Sequence, residues 1–302
     1  MTILEKPHVS IYQNLVAKGY PESPPFNADE QYPEYPFKDK EYIDLTNTVY
    51  HAVRESLNLL DLDADNKTTS AWNPLKKIVK PNDIVIIKPN AVWDINVNKS
   101  ESVFASITHG SVIRAIIDYV YIALEGRGKI IIADAPLAHS NFENWKTITG
   151  VQSIVDLYQK ELNFNIEVID LRKVIIPWDH NRNFAPSHLR YEHQGDPLGY
   201  CEVDLGQLSE FSVFSKKDIQ LLYGSDYDRQ TTIQYHSNHH HRYYVSKTIL
   251  SSNVIISIPK LKVHSKVGVT LNIKGMVGTQ GDKNYIPHHR IGSPSHGGDE
   301  YP

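Results

Sequence analysis

The sequence holds a single cysteine, Cys201, which excludes an internal disulfide framework and a cysteine-ligated iron–sulfur cluster built from this chain. It lacks a run of about 18 apolar residues, so no transmembrane span is expected. Neither sign of charge is in excess: 31 Lys and Arg against 35 Asp and Glu leave a net charge of -4, which offers no global attraction for nucleic acid or an anionic membrane. The start carries Glu5 and His8 and no long apolar run, so it reads neither as a secretory signal nor as a transit peptide, and a cytoplasmic location is expected. Also absent are the G-x-x-x-x-G-K-[ST] phosphate loop, the G-x-G-x-x-G fingerprint, the G-x-S-x-G nucleophile elbow and the H-E-x-x-H zinc helix. Any anion site must then be local and assembled from separated residues.

What is present is a chain of 302 residues, 40% apolar and 22% charged, large enough to bury a core. Residues 1–40 read as an N-terminal arm, because the stretch from Tyr20 to Asp39 is dense in proline and aromatics and follows neither regular period. It is either an ordered arm laid over the body or a flexible leader. Residues 41–302 read as one domain. From Glu41 to about Leu60 the apolar positions Ile43, Val49, Val53, Leu57 and Leu60 recur at three and four, the spacing of a packed helix.

Three segments then repeat one pattern: Ile84–Ile87 before Lys88, Pro89 and Asn90; Ile130–Ala133 before Asp134; Val254–Ile258 before Pro259, Lys260, Lys262 and His264. Uninterrupted apolar runs suit strands covered on both faces, as in parallel sheets. Helices are expected at Val112–Leu124, with Thr108 or Ser111 as N-cap, and at Asn144–Leu162, before a strand at Ile166–Ile169. The fold class expected is α/β, an open and mostly parallel sheet flanked by helices, Rossmann-like. Residues 172–245 break the rhythm and read as an insertion or subdomain, with a strand at Phe211–Phe214.

In such folds ligands bind beyond the carboxyl ends of the strands, so Lys88, Asn90, Asp134, Lys260, Lys262 and His264 are candidates. Lysines suit phosphate or carboxylate, and a helix after His264, packed through Val267, Leu271 and Met276, would add free N–H groups. The bland alternative is that these lysines are solvated residues at a strand end. The terminal stretch holds His288, His289, His296 and Asp299 among Gly and Pro, a set that could take a divalent metal, although its spacing matches no helix-borne motif. The chain ends there without a closing strand or helix, as a truncated or split form of a longer protein would. The tract from His236 to Tyr244 reads as a partly exposed loop or interface, and Cys201 as buried and inert.

The block IPKLKVHSKVGVTLNIKGMVG, Ile258 to Gly278, resembles the most distinctive block of the DUF362 proteins, a domain of unknown function. IIKPNAV and IIADAP are similar to earlier blocks of that family, so the resemblance runs over about residues 84 to 301 with the middle insertion unmatched. It implies the site residues Lys88, Asn90, Asp134, Lys260, Lys262, His264, Thr270 and Lys274, and it brings no reaction. Many relatives join this domain to a cysteine-rich cluster module whose cysteines this chain lacks, and Gly275 stands where relatives often have asparagine.

The function expected is an enzyme on a small phosphorylated or carboxylated metabolite. Lys88, Asn90, Lys262, Thr270 and Lys274 would bind it, with catalytic Lys260 helping to neutralise the anion, His264 as acid or base, and Asp134 as its orienter or a metal ligand. The alternatives are a glycan- or protein-binding assembly protein using the Tyr- and His-rich middle, and a metal-dependent hydrolase or transferase using His288, His289, His296 and Asp299.

Overall fold

The computed structural model describes residues 9–15, 19–38, 40–179, 186–224, 228–264 and 268–300. Val267, expected to pack in a helix, lies outside them. Along the chain, α1 (Thr48–Leu59), β1 (Ile84–Pro89), α2 (Gly110–Leu124), β2 (Lys129–Asp134), α3 (Phe142–Ile148), α4 (Val151–Leu162) and β3 (Ile166–Asp170) alternate strand with helix. Shorter elements follow: β4 (Val174–Ile175), β5 (Tyr191–Glu192), β6 (Tyr200–Asp204), α5 (Lys216–Gln220), β7 (Leu222–Tyr223), α6 (Arg229–Tyr235), β8 (Arg242–Ser246) and α7 (Lys247–Leu250). Then come β9 (Val254–Ile258), the hairpin of β10 (Lys262–His264) and β11 (Gly268–Thr270), α8 (Asn272–Gly275) and β12 (His289–Arg290). Two compact units result: Met1–Ala133 with Asn141–Ile169 and Ser252–Met276, and Asp134–Ser140 with Asp170–Ser251 and Val277–Pro302.

The first unit is built on a parallel sheet of order β3-β2-β1-β9 flanked by helices, the α/β architecture that the apolar runs predict. Val85, Ile86, Ile87, Ile130 and Ile132 are fully buried, as strands sandwiched by helices require. Helix α1 starts later than the periodicity from Glu41 predicts. Asn47 caps it, its side chain accepting from the Tyr50 N–H at 3.2 Å and donating to the Phe26 and Asn27 carbonyls at 3.1 and 2.7 Å. The single helix expected at Asn144–Leu162 is two, α3 and α4, separated by Gly150 at φ +66°. A Cβ on Gly150 would lie 2.7 Å from the Pro24 side chain and 3.0 Å from that of Phe26, so close packing by residues 24–26 demands glycine there.

Residues 20–38 supply Phe26, Tyr32, Tyr35 and Phe37 to the same core as α1, α2 and α4. Polar bonds fix them in place. Arg54 of α1 stacks over Tyr32 and Trp72 and donates to Glu34 at 2.8 Å, and the Tyr119 hydroxyl donates to the same carboxylate at 3.1 Å.

In the second unit Ile219, Leu222 and Ile233, with Phe214 against them, form a small apolar cluster, and Leu171, Ile176 and Ile249 are also buried. Its longest ladder is antiparallel, β6 with β8, from Tyr200↔Ser246 to Asp204↔Arg242. The tyrosines are stacked: Tyr235 on Tyr285 at 3.7 Å, Tyr285 on Tyr244 at 5.2 Å and Tyr244 on Tyr200 at 5.0 Å between centroids. The strand expected at Phe211–Phe214 is a 3-10 turn, Glu210–Val213, because Ser209 accepts from the Phe211 N–H and caps it. Cys201 is half-buried on β6, where its thiol meets the Glu202 carbonyl at 3.7 Å. Among the described residues no helix is long and apolar enough to cross a membrane.

Candidate anion site at the strand ends

In the first unit the strand order reverses between β1 and β9: β2 and β3 lie to one side of β1, and β9 to the other. Such a reversal opens a crevice at the carboxyl ends of the two strands. Thr108 latches that crevice, its hydroxyl donating to the Ile258 carbonyl at 2.7 Å and accepting from the Asn90 N–H at 2.9 Å. The Asn90 side chain donates to the Ser106 carbonyl at 2.8 Å, which spends its amide protons on holding the neighbouring loop.

Lys88 is 1% exposed, and its ammonium donates to the Pro89 carbonyl at 2.9 Å. Its register partner on β9 is Ser257, and paired residues of parallel strands face the same side of a sheet. The Ser257 hydroxyl is buried without a hydrogen-bond partner. A Cβ on Gly275 would lie 3.3 Å from that hydroxyl, so glycine lets α8 approach β9 here.

The helix expected after His264 is the short α8, preceded by β11, which pairs with β10; Leu271 and Met276, expected to pack, are exposed. KVH and GVT alternate at period two, and β-branched residues at the outward positions favour a ladder. Val263 and Val269 pair on one face and are exposed, which leaves Lys262, His264 and Thr270 on the other. Thr270 is buried, and its hydroxyl is also unpartnered. Lys274 on α8 is an exposed residue, and partial burial of its ammonium lowers its pKa by desolvation.

Lys260 donates to the Tyr20 hydroxyl at 2.9 Å; with the ring centroid 5.2 Å away, this is a hydrogen bond at the ring's edge rather than a face-on cation–π contact. Tyr20 lies flat on His109, at 4.3 Å and 5° between planes. His109 is the observed N-cap of α2, where Thr108 or Ser111 is expected from sequence: its Nδ1 accepts from the Ser111 N–H at 3.1 Å. Burial, and secondarily the Lys260 charge, pull His109 down to a pKa of about 4, so this imidazole is neutral at pH 7. Sequence reasoning missed Tyr20, His109 and Ser257. Only Ser257 left a signal, as a hydroxyl interrupting an otherwise apolar strand.

Residues 209–295 match the family model of DUF362, a domain of unknown function. The DUF362 match contains the hairpin and α8, and it begins at Ser209, inside the stretch that the sequence resemblance leaves unmatched. No curated protein and no solved structure matches the chain.

The remaining candidates belong to the second unit. Asp134 is buried, and its carbonyl accepts from the Leu171 N–H at 2.9 Å. All four residues proposed for metal have contacts of their own within the DUF362 match or just beyond it. His289 lies 3.5 Å from Glu300, His296 bonds Ser293 at 2.9 Å, and Asp299 is forked by Arg290 at 2.8 and 3.0 Å. The fourth, His288, meets the Ile286 carbonyl at 3.1 Å. Among the described residues no group of three or more His, Cys, Asp or Glu is arranged to hold a metal ion.

The histidine tract divides. His240 faces Asp204 at the surface, whereas His236 and His241 are buried with their Nδ1 atoms 3.2 Å apart, and His236 Nε2 donates to the Tyr285 carbonyl at 2.9 Å. Burial lowers the His236 pKa from its ordinary 6.5 to about 4. The unfolded chain protonates this group near pH 6.5 and the folded chain resists until about pH 4, so the unfolded state binds more protons between them. Stability is therefore full above pH 6.5 and falls as pH drops through this window. His236 alone should remove on the order of 2 kcal/mol between pH 7 and 5, and His109 acts with the same sign. Urea midpoints that do not fall between those two pH values would contradict this.

Proposed function

We propose that the crevice between the ends of β1 and β9 binds a small phosphorylated or carboxylated metabolite, on which the protein acts as an enzyme. The observation that carries this reading is Lys88, a buried ammonium at the strand-order reversal, beside the buried and unpartnered Ser257 hydroxyl. A buried hydroxyl without a partner is costly in a fold unless something answers it, and an anion drawn to the Lys88 ammonium would accept from it. Lys260, Lys262 and Lys274 bring further positive charge to the same unit, the Thr270 hydroxyl a further donor, and His264 the acid or base. Asp134 belongs to the second unit and is left outside this reading.

The test is a thermal-shift screen of the full chain against phosphorylated sugars, nucleotides and carboxylates. A ligand at 100 times its Kd adds about 2.7 kcal/mol of stability. Lys88→Met should weaken binding of the responding anion at least about tenfold, since it removes the buried positive charge at the strand ends. Lys260→Ala with Lys262→Ala should abolish the response while the protein stays folded. Retained binding in both variants would refute the site.

A further inference from the structure

The contacts of Tyr20 extend this site beyond an anion pocket. His109 is held rigidly: Phe104 and Phe26 meet its ring at 4.3 and 5.0 Å with interplanar angles of 64° and 59°, and its Nδ1 is 2.8 Å from the Ser111 hydroxyl. Its remaining flat surface carries Tyr20 in a parallel stack. Tyr20 is thus a fixed plate with one face against His109 and 39% of its surface still exposed. It lines an open cavity of about 790 Å³ within the first unit, together with Glu22, Asn27, Asp44, Thr46 and Thr48. Among the described residues that lining holds no Lys, Arg or His; it offers carboxylate and hydroxyl acceptors around one aromatic plate. Lys260 stands at the edge of the plate, where it holds the Tyr20 hydroxyl.

We propose that Tyr20 is the ring-binding platform of the strand-end site, and that its ligand is a hydroxylated ring bearing a single anionic group: a sugar phosphate or a sugar acid. The anion sits at Lys260 and the ring's C–H face lies on Tyr20. The ring hydroxyls donate to Glu22 and Asp44, carboxylates that would repel a second anionic group. This rests on the anion-binding reading above and names its substrate class.

Calorimetric titration of the full chain with inorganic phosphate, glucose 6-phosphate and glucuronate tests it. The wild type should bind a sugar-bearing anion at least tenfold tighter than inorganic phosphate. Tyr20→Ala should erase that preference and leave phosphate binding within about threefold, whereas Tyr20→Phe, which keeps the plate, should retain most of it. Lys260→Ala should weaken all three ligands. Tyr20→Leu, which keeps bulk without a flat ring, stands in if the alanine variant does not fold, and should behave like it. A wild type that binds phosphate and both sugar anions equally, or a preference that survives Tyr20→Ala or Tyr20→Leu, overturns the platform and leaves the anion site standing. A Lys260→Ala variant that binds as the wild type does overturns the anchoring at Lys260. A wild type that binds none of the three overturns both readings.

Discussion

Asp118→Ala should cost about 3–5 kcal/mol of folding free energy, the range expected when one partner of a buried ion pair is removed. Arg114 and Asp118 lie one turn apart on α2 with fully buried side chains, Nε to Oδ1 at 2.8 Å. The carboxylate also accepts from the hydroxyls of Tyr50 and Tyr158, so one side chain joins α1, α2 and α4. The guanidinium reaches the proline-rich stretch, donating to the Pro25 carbonyl at 2.9 Å, Asn27 at 3.2 Å and the Tyr35 hydroxyl at 3.0 Å. Alanine at 118 leaves a buried guanidinium without its counter-ion and two tyrosine hydroxyls without their acceptor. Urea unfolding followed by circular dichroism would measure the loss. Arg114→Met combined with Asp118→Ala should recover part of it, since no unpaired charge remains. A single variant within 1 kcal/mol of wild type, on the order of the worth of one neutral hydrogen bond, would show that the network is not what holds these elements.

That network also explains why the burial of residues 20–38 is hard to read from sequence. Phe26, Tyr32, Tyr35 and Phe37 follow neither helical nor strand period, and what docks them is Arg114, Glu34 and Arg54, side chains that sequence patterns assign to the surface. The sheet was legible for the opposite reason: strands buried on both faces are continuously apolar, as Ile84–Ile87 and Ile130–Ala133 are, and the edge strand Val254–Ile258 keeps the pattern except at Ser257. In the block after β9, glycine and lysine weakened the strand signal enough that the three-residue ladder ahead of the expected helix went unread. Lys88, Lys260 and Lys262 could be picked out because topology alone puts strand-end residues on one rim. Tyr20 and His109 could not, because their stack joins residues far apart in sequence that no shared period relates.

In the second unit, Arg172→Ala should be about as costly as the loss of Asp118, because a single buried guanidinium there holds a backbone segment in place. Arg172 is 2% exposed. Its Nη1 donates to the carbonyls of Leu137, Ala138 and Ser140 at 2.9, 3.2 and 2.6 Å, while Nε and Nη2 fork the Asp170 carboxylate at 2.9 and 2.6 Å. The segment that follows β2 is thus pinned along its length, with Lys283 adding a bond to the Ala135 carbonyl at 2.8 Å and the Leu171 N–H a bond to that of Asp134 at 2.9 Å. Removing the guanidinium takes the charged fork from a buried carboxylate, which keeps the Arg172 backbone N–H at 3.0 Å and His193 at 3.6 Å, and leaves three carbonyls short of a donor, which puts the cost at about 3–5 kcal/mol. Arg172→Lys should recover less than half of that, since an ammonium has three donors and no planar fork with which to meet both the carboxylate and the carbonyls. Hydrogen exchange separates this from a general loss of packing: amides of residues 134–140 should lose protection first and most in both variants. A lysine variant with wild-type protection in that segment would mean that charge alone, and not the geometry of the fork, fixes the backbone around Asp134.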